Sequence, residues 1–207
     1  GIFLPTSIGA LVTFFALQAY ARIPAMLNFS ASKANLMNAC QIASIRTLIT
    51  SNRFIEAAKL TSVIDNLKAM GITVIYLEEL RREIQWWHKL LGLFVSMIPQ
   101  GYYRFCCPAN HPEAPAVVLF TSGSEGLPKG VALSHINLQA NRFQVSARID
   151  FGPTDIVFNV LPIFHSFGLT GGTLLPILSG IKAFLYPSPL HYRAIPELIY
   201  DSNATIL

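Results

Sequence analysis

The chain has 207 residues, 52% of them apolar and only 13% charged, with a mean hydropathy of +0.47. That apolar content supports a sizeable core and excludes a disordered or linker class. Fifteen Lys and Arg against 11 Asp and Glu give a net charge of +4, but the cations are scattered, so nucleic acid is not the expected partner.

In chain order, residues 8–20 carry apolar side chains on most faces and predict a buried helix ended near Pro24, with 25–29 as a short strand. Ser32 reads as the N-cap of a helix through Leu36, Met37, Ala39 and Cys40, and 47–50 as a strand. Helical spacing from Phe54 to Met70 predicts one more helix, closed by Gly71 and followed by the β-branched strand 72–77. The alternation points to an α/β fold in which a mainly parallel sheet is layered with helices. Pro108, Pro112 and Pro115 mark a connector near 108–115, and 116–120 is a new apolar run.

The most apolar stretches, 8–27 and 90–98, are too interrupted or too short for the roughly 20 residues that a spanning helix needs. Around the second, residues 86–105 place Trp86, Trp87, Tyr102 and Tyr103 at the ends, together with basic Lys89 and Arg104. The favoured reading is a linker helix packed on its own domain, and the alternative is a segment resting on a membrane surface. Cys40, Cys106 and Cys107 lack metal-ligand spacing, and the adjacent pair would make an awkward disulfide, which fits a reducing compartment. Because it starts at Gly1 and stops in the apolar run 204–207, the chain is expected to be an internal segment of a larger polypeptide.

The chemistry concentrates in Thr121-Ser122-Gly123-Ser124-Glu125-Gly126-Leu127-Pro128-Lys129-Gly130. Glycines let the backbone approach an anion with its N–H groups, hydroxyls add donors, and Lys129 adds a positive charge suited to polyphosphate. This is not a Walker A loop, because Lys129 lies between Pro128 and Gly130, and the glycines do not fit a dinucleotide fingerprint. From composition alone, a plain Gly/Ser/Pro turn carries equal weight.

The pattern T-S-G-S-E-G-x-P-K-G after an apolar strand resembles the phosphate loop of the AMP-forming acyl-activating enzymes, which include acyl-CoA synthetases, luciferases and peptide-synthetase adenylation domains. Leu161-Pro162-Ile163-Phe164-His165-Ser166-Phe167-Gly168 resembles that family's L-P-x-F-H-x-x-G segment. Residues 184–193, with Pro196-Glu197-Leu198 after them, resemble more narrowly the acyl-acyl-carrier-protein synthetase half of the bifunctional 2-acylglycerophosphoethanolamine acyltransferases. The front of the chain, 14–19 and 24–29, fits the same group, so the resemblance covers essentially all residues.

The resemblance implies part of the large N-terminal domain of an adenylate-forming enzyme, residues 1–207 of it, using ATP and Mg²⁺. Thr121, Ser122, Gly123, Ser124, Gly126, Lys129 and Gly130 would hold the ATP β- and γ-phosphates while a fatty carboxylate attacks the α-phosphorus. Lys129 would offset charge on the leaving pyrophosphate, and Thr121 would touch the Mg²⁺. Glu125 would repel phosphates and reads as a solvated or structural group. His165, by composition alone a packed core or turn residue, would line the acyl-adenylate site beside Phe164 and Gly168 and gate the acyl channel. His135 is expected at a helix start capped by Ser134, and His191 and Arg193 as structural or surface groups.

The implied partners are a fatty acid and, for the parent protein, acyl carrier protein at the cytoplasmic face of the inner membrane. The family's downstream Y-G-x-T-E-like segment, its ribose-binding acid, its hinge and the lysine of its C-terminal lid do not occur by Leu207, nor does an H-x-x-x-x-D acyltransferase motif. The segment alone is therefore expected to be inactive. A fatty acyl-CoA synthetase and a non-catalytic structural or interaction module remain as alternatives.

Overall fold

A computed structural model describes residues 1–106, 111–122 and 127–207, with Ser122 described by its backbone alone. Helix α1 (Ile8–Ala19) starts at Ser7, whose hydroxyl accepts the Ala10 N–H at 3.3 Å, and α2 (Lys33–Ile42) starts in the same way at Ser32. Each cap satisfies an N–H that has no partner inside its own helix. There follow β1 (Thr47–Thr50), α3 (Asn52–Ala57), α4 (Thr61–Ala69), β2 (Thr73–Tyr76), α5 (Leu77–Glu83), α6 (Trp86–Met97) and α7 (Pro99–Cys106). The remaining elements are β3 (Pro115–Ser122), β4 (Pro128–Ser134), α8 (His135–Ser146), β5 (Ile156–Asn159), α9 (Ser166–Leu169), a π-helical turn (Thr170–Leu174), α10 (Leu175–Leu178), β6 (Lys182–Leu185) and α11 (Ile195–Asp201).

The main sheet is assembled around the first residues of the chain. Phe3 N–H donates to Ile49 O at 2.9 Å on one side, and Ile2 N–H donates to Ala25 O at 2.8 Å on the other. Met26 N–H then donates to Val118 O at 2.9 Å, which brings in β3. The order is therefore β2, β1, residues 1–3, residues 24–27, β3, β4, parallel throughout except for the antiparallel β3–β4 hairpin. In a second parallel set, β5 lies between β6 and Ile206. This is the expected α/β class with mainly parallel sheets.

Side chains along the central strands alternate between two cores, as the pleat requires. Ile2, Leu4, Met26, Val117 and Leu119 join Phe14 of α1 and Ile163 on one face, while Phe3, Leu27 and Leu48 join Leu36, Ile55 and Ile64 of α2, α3 and α4 on the other.

Three expectations need correction. The single helix over 54–70 is two, α3 and α4, broken at Lys59, whose φ is +55°. Lys59 N–H donates to Glu56 O and Leu60 N–H to Ile55 O, so the chain closes α3 with a left-handed residue that carries no glycine to mark it. Helix α1 is buried along one side only, with Ile8 and Val12 exposed. The stretch 86–105 meets the domain through α7, whose Tyr102 hydroxyl lies 3.1 Å from that of Tyr20, but α6 and α7 contain no buried residue and Trp86, Phe94 and Met97 of α6 stand exposed.

Candidate active site

The β3–β4 hairpin presents the glycine-rich loop. Buried Ala116, Val117 and Leu119 fix β3 in the sheet, and the strand then carries Thr121 out to the exposed surface. The antiparallel register sets Thr121 directly opposite Lys129, so a hydroxyl-bearing residue and a cation flank the mouth of the loop on adjoining strands. Both are exposed. A β-carbon added at Gly130 would stand 3.3 Å from Ile42 Cγ2, so α2 approaches the hairpin closely there. Gly123, Ser124, Glu125 and Gly126 lie outside the described residues, as does the Ser122 side chain.

Beside the hairpin opens a cleft of about 120 Å³ lined by Thr121, Pro128, Phe120, Asn28, Asn35 and Ala39, among others. No acidic side chain lines it among the described residues, which leaves Lys129 as the charged group nearest its rim in sequence. Among the described residues, a polyanion would meet neutral amides, a hydroxyl and a cation at this edge.

The second motif is held by buried polar anchors. Thr6, 1% exposed, donates its hydroxyl to Leu161 O at 3.0 Å and accepts the Ile163 N–H at 3.0 Å. Asn159, 3% exposed, accepts the Leu161 N–H at 3.0 Å and donates to Thr173 Oγ1 at 3.1 Å, while the Thr173 hydroxyl donates to Gly168 O at 2.8 Å. At Gly168 a β-carbon would come within 2.2 Å of Pro162 O, so only glycine fits the closed turn. This frame buries Phe164 and leaves His165 exposed at the start of α9, its ring 4.7 Å from that of Phe164. The packed-core alternative for His165 therefore does not hold.

The two motifs approach each other through residues 28 and 29. Asn28 lines the cleft at Thr121, and the next residue, Phe29, packs edge-on against Phe164 at 5.0 Å between ring centroids. His135 begins α8 as expected, where Ser134 and Asn137 form a reciprocal capping box. Burial holds the His135 pKa below its ordinary value. The imidazole of exposed His191 pairs with the Tyr186 hydroxyl at 3.0 Å. Sequence reasoning missed Thr6 and Asn159. Asn159 stands two residues before the L-P-x-F-H segment, whereas Thr6 lies 155 residues from its partner and carried no local signal.

The sequence pattern of the AMP-binding enzyme family matches residues 1–207. The chain belongs to that family. The chain is 42% identical over 73 residues to the sulfoacetate–CoA ligase of Cupriavidus necator, covering 35% of the chain and 14% of that protein. It is 35% identical over 114 residues to a long-chain-fatty-acid–CoA ligase of Escherichia coli O6:H1, covering 52% of the chain and 19% of that protein. It is 32% identical over 89 residues to the medium-chain-fatty-acid–[acyl-carrier-protein] ligase TtuA of Teredinibacter turnerae, covering 43% of the chain and 14% of that protein.

Among solved structures, o-succinylbenzoate CoA synthetase (MenE) from Bacillus subtilis in complex with its acyl-adenylate intermediate superposes with a TM-score of 0.75 at 17% identity, over 99% of this chain and 47% of that one. The same enzyme in complex with ATP and magnesium ion gives 0.72 at 16% identity, over 99% of this chain and 48% of that one. The chain thus spans less than half of that solved relative, and its fold is that of the N-terminal domain of adenylate-forming enzymes.

Proposed function

We propose that residues 1–207, with the connector near 108–115, form the N-terminal part of the adenylation domain of an acyl-acyl-carrier-protein synthetase. A fatty carboxylate oxygen bonds to the ATP α-phosphorus, the bond from that phosphorus to the bridging oxygen breaks, and pyrophosphate leaves with its electron pair. The thiol of acyl carrier protein then takes the acyl group and AMP departs. In the complete protein the acyl group passes on to 2-acylglycerophosphoethanolamine at the cytoplasmic face of the inner membrane. The observation that carries this reading is the hairpin that sets Thr121 opposite Lys129 beside a cleft in which no acidic side chain is found among the described residues. Membership of the AMP-binding family and the similarity to fatty-acid ligases, one of them a medium-chain-fatty-acid–[acyl-carrier-protein] ligase, support it.

In this reading Lys129 neutralises charge developing on the leaving pyrophosphate, and the loop amides and hydroxyls from Thr121 to Gly130 orient the β- and γ-phosphates. His165 borders the acyl end beside Phe164 and controls access. Mg²⁺, when bound, supplies further charge neutralisation at the phosphates. Among the described residues no group of three or more His, Cys, Asp or Glu could hold a metal ion. A single hydroxyl at Thr121 fits a Mg²⁺ carried in on the nucleotide's own oxygens.

The test is ATP–pyrophosphate exchange with fatty acid, in a polypeptide extended through the C-terminal lid. Exchange is expected there and absent from residues 1–207 alone. Lys129→Ala in the extended protein should lower exchange on the order of a hundredfold. No exchange with any carboxylic acid would refute the reading. Acylation of acyl carrier protein in preference to CoA would support the proposed acceptor, and the reverse preference would replace it with a fatty acyl-CoA synthetase.

A further inference from the structure

We infer that α6 is a surface-binding helix for anionic phospholipid, lying in the plane of the membrane. The inference deepens the membrane placement proposed above by naming the element that makes contact. At about 100° per residue, Trp86, Leu90, Leu93, Phe94 and Met97 project from one side of α6, and His88, Lys89, Gly92 and Ser96 from the other. Among the described residues the apolar side is largely uncovered: Trp86 is 72% exposed, Phe94 67% and Met97 76%. Five large apolar groups in water on a single helix face make a stripe that some other phase must cover.

Charge and shape point to lipid as that phase. Residues 84–106 carry Lys89 and Arg104 and no Asp or Glu, and Arg81, Arg82 and Glu83 stand just before them. Lys89 on the polar side, with Trp86 at the start of the helix, suits an anionic headgroup layer. A soluble acidic partner would be met mainly by charge, whereas here the apolar groups dominate. The exposed face is also a convex single helix, which acyl chains can mould around without a preformed groove. At 12 residues α6 is too short to cross a bilayer, and no described helix is long and apolar enough to do so. Helix α7 tethers the unit to the domain, with the Tyr102 and Tyr20 hydroxyls 3.1 Å apart.

Trp86 and Trp87 are the only tryptophans in the chain, so intrinsic emission reports on this helix alone. The 207-residue chain is titrated with vesicles of equal parts phosphatidylglycerol and phosphatidylcholine, and with phosphatidylcholine alone, and binding is checked by co-flotation. A blue shift with co-flotation on the anionic vesicles, much weaker on the neutral ones, is expected. The double variant Leu90→Ser/Phe94→Ser should bind at least about tenfold more weakly while keeping its far-ultraviolet circular dichroism. Lys89→Glu should weaken binding on the order of tenfold.

Failure of the wild-type chain to bind anionic vesicles, or undiminished binding by the folded double variant, overturns the inference. A blue shift that grows with protein concentration in the absence of lipid overturns it in favour of a second copy. Vesicle binding is read without nucleotide, so its failure is distinct from a failure of pyrophosphate exchange.

Discussion

Replacing Thr6 by Val tests whether one buried hydroxyl holds the His165 segment in place. The substitution keeps the shape of the side chain and removes a donor to Leu161 O and an acceptor for the Ile163 N–H, both at 3.0 Å in a site 1% exposed. Each backbone group left without a partner costs about 1–3 kcal/mol, for a total of about 2–6 kcal/mol. At a urea slope of about 2 kcal/mol/M, the unfolding midpoint should fall by about 1 M or more. Thr6→Ser keeps the hydroxyl and loses only a methyl group, so it should cost about 1 kcal/mol. Hydrogen exchange at the Ile163 amide should speed up in the Val variant and stay near wild type in the Ser variant. A Val variant within about 0.5 kcal/mol of wild type, with Ile163 still protected, would refute the anchoring role, since ordinary surface changes reach that size.

Other outcomes follow from the capping groups. Partial burial of Glu78 acts to raise its pKa, but hydrogen bonds from the Ser51 hydroxyl and the Asn52 and Arg53 N–H groups outweigh it and hold the carboxyl down at about 2, against an ordinary 4.5. A depressed native pKa stabilises the fold above 4.5 and loses that contribution as pH falls toward 2. Urea midpoints measured across this window should therefore decline with acidification, and Glu78→Gln should flatten the decline. Ala21, Ser44 and Lys59 hold φ of +50°, +49° and +55° just after α1, α2 and α3. Glycine at each should stabilise by up to about 1 kcal/mol, raising the thermal midpoint by about 2–4 °C, and a lower midpoint would show that side-chain contacts outweigh the backbone strain.

Sequence patterning revealed the elements whose ends carry chemical marks. Ser32 announced α2, and Gly71, at φ +84°, announced the end of α4. The break between α3 and α4 was hidden because its left-handed residue is Lys59, and nothing in a lysine signals that conformation. The first residues of the chain were not read as a strand, since only their neighbours 24–27 and β1, brought together by folding, complete the hydrogen bonds. Thr121, Lys129 and His165 were legible because their motifs are local and specific. Thr6 and Asn159 were not, because what they do depends on partners that folding supplies. In the stretch 86–105 the helical pattern could be read, whereas the fate of its apolar side depended on which elements reach it.

Asn28 and Phe29 share a single peptide unit, yet one borders the phosphate-loop cleft and the other supports Phe164 next to His165. Consecutive Cα atoms stay about 3.8 Å apart whatever the backbone does. One covalent step at the centre thus links the two ends of the site. A backbone shift at one of these two residues therefore displaces its neighbour at the other end.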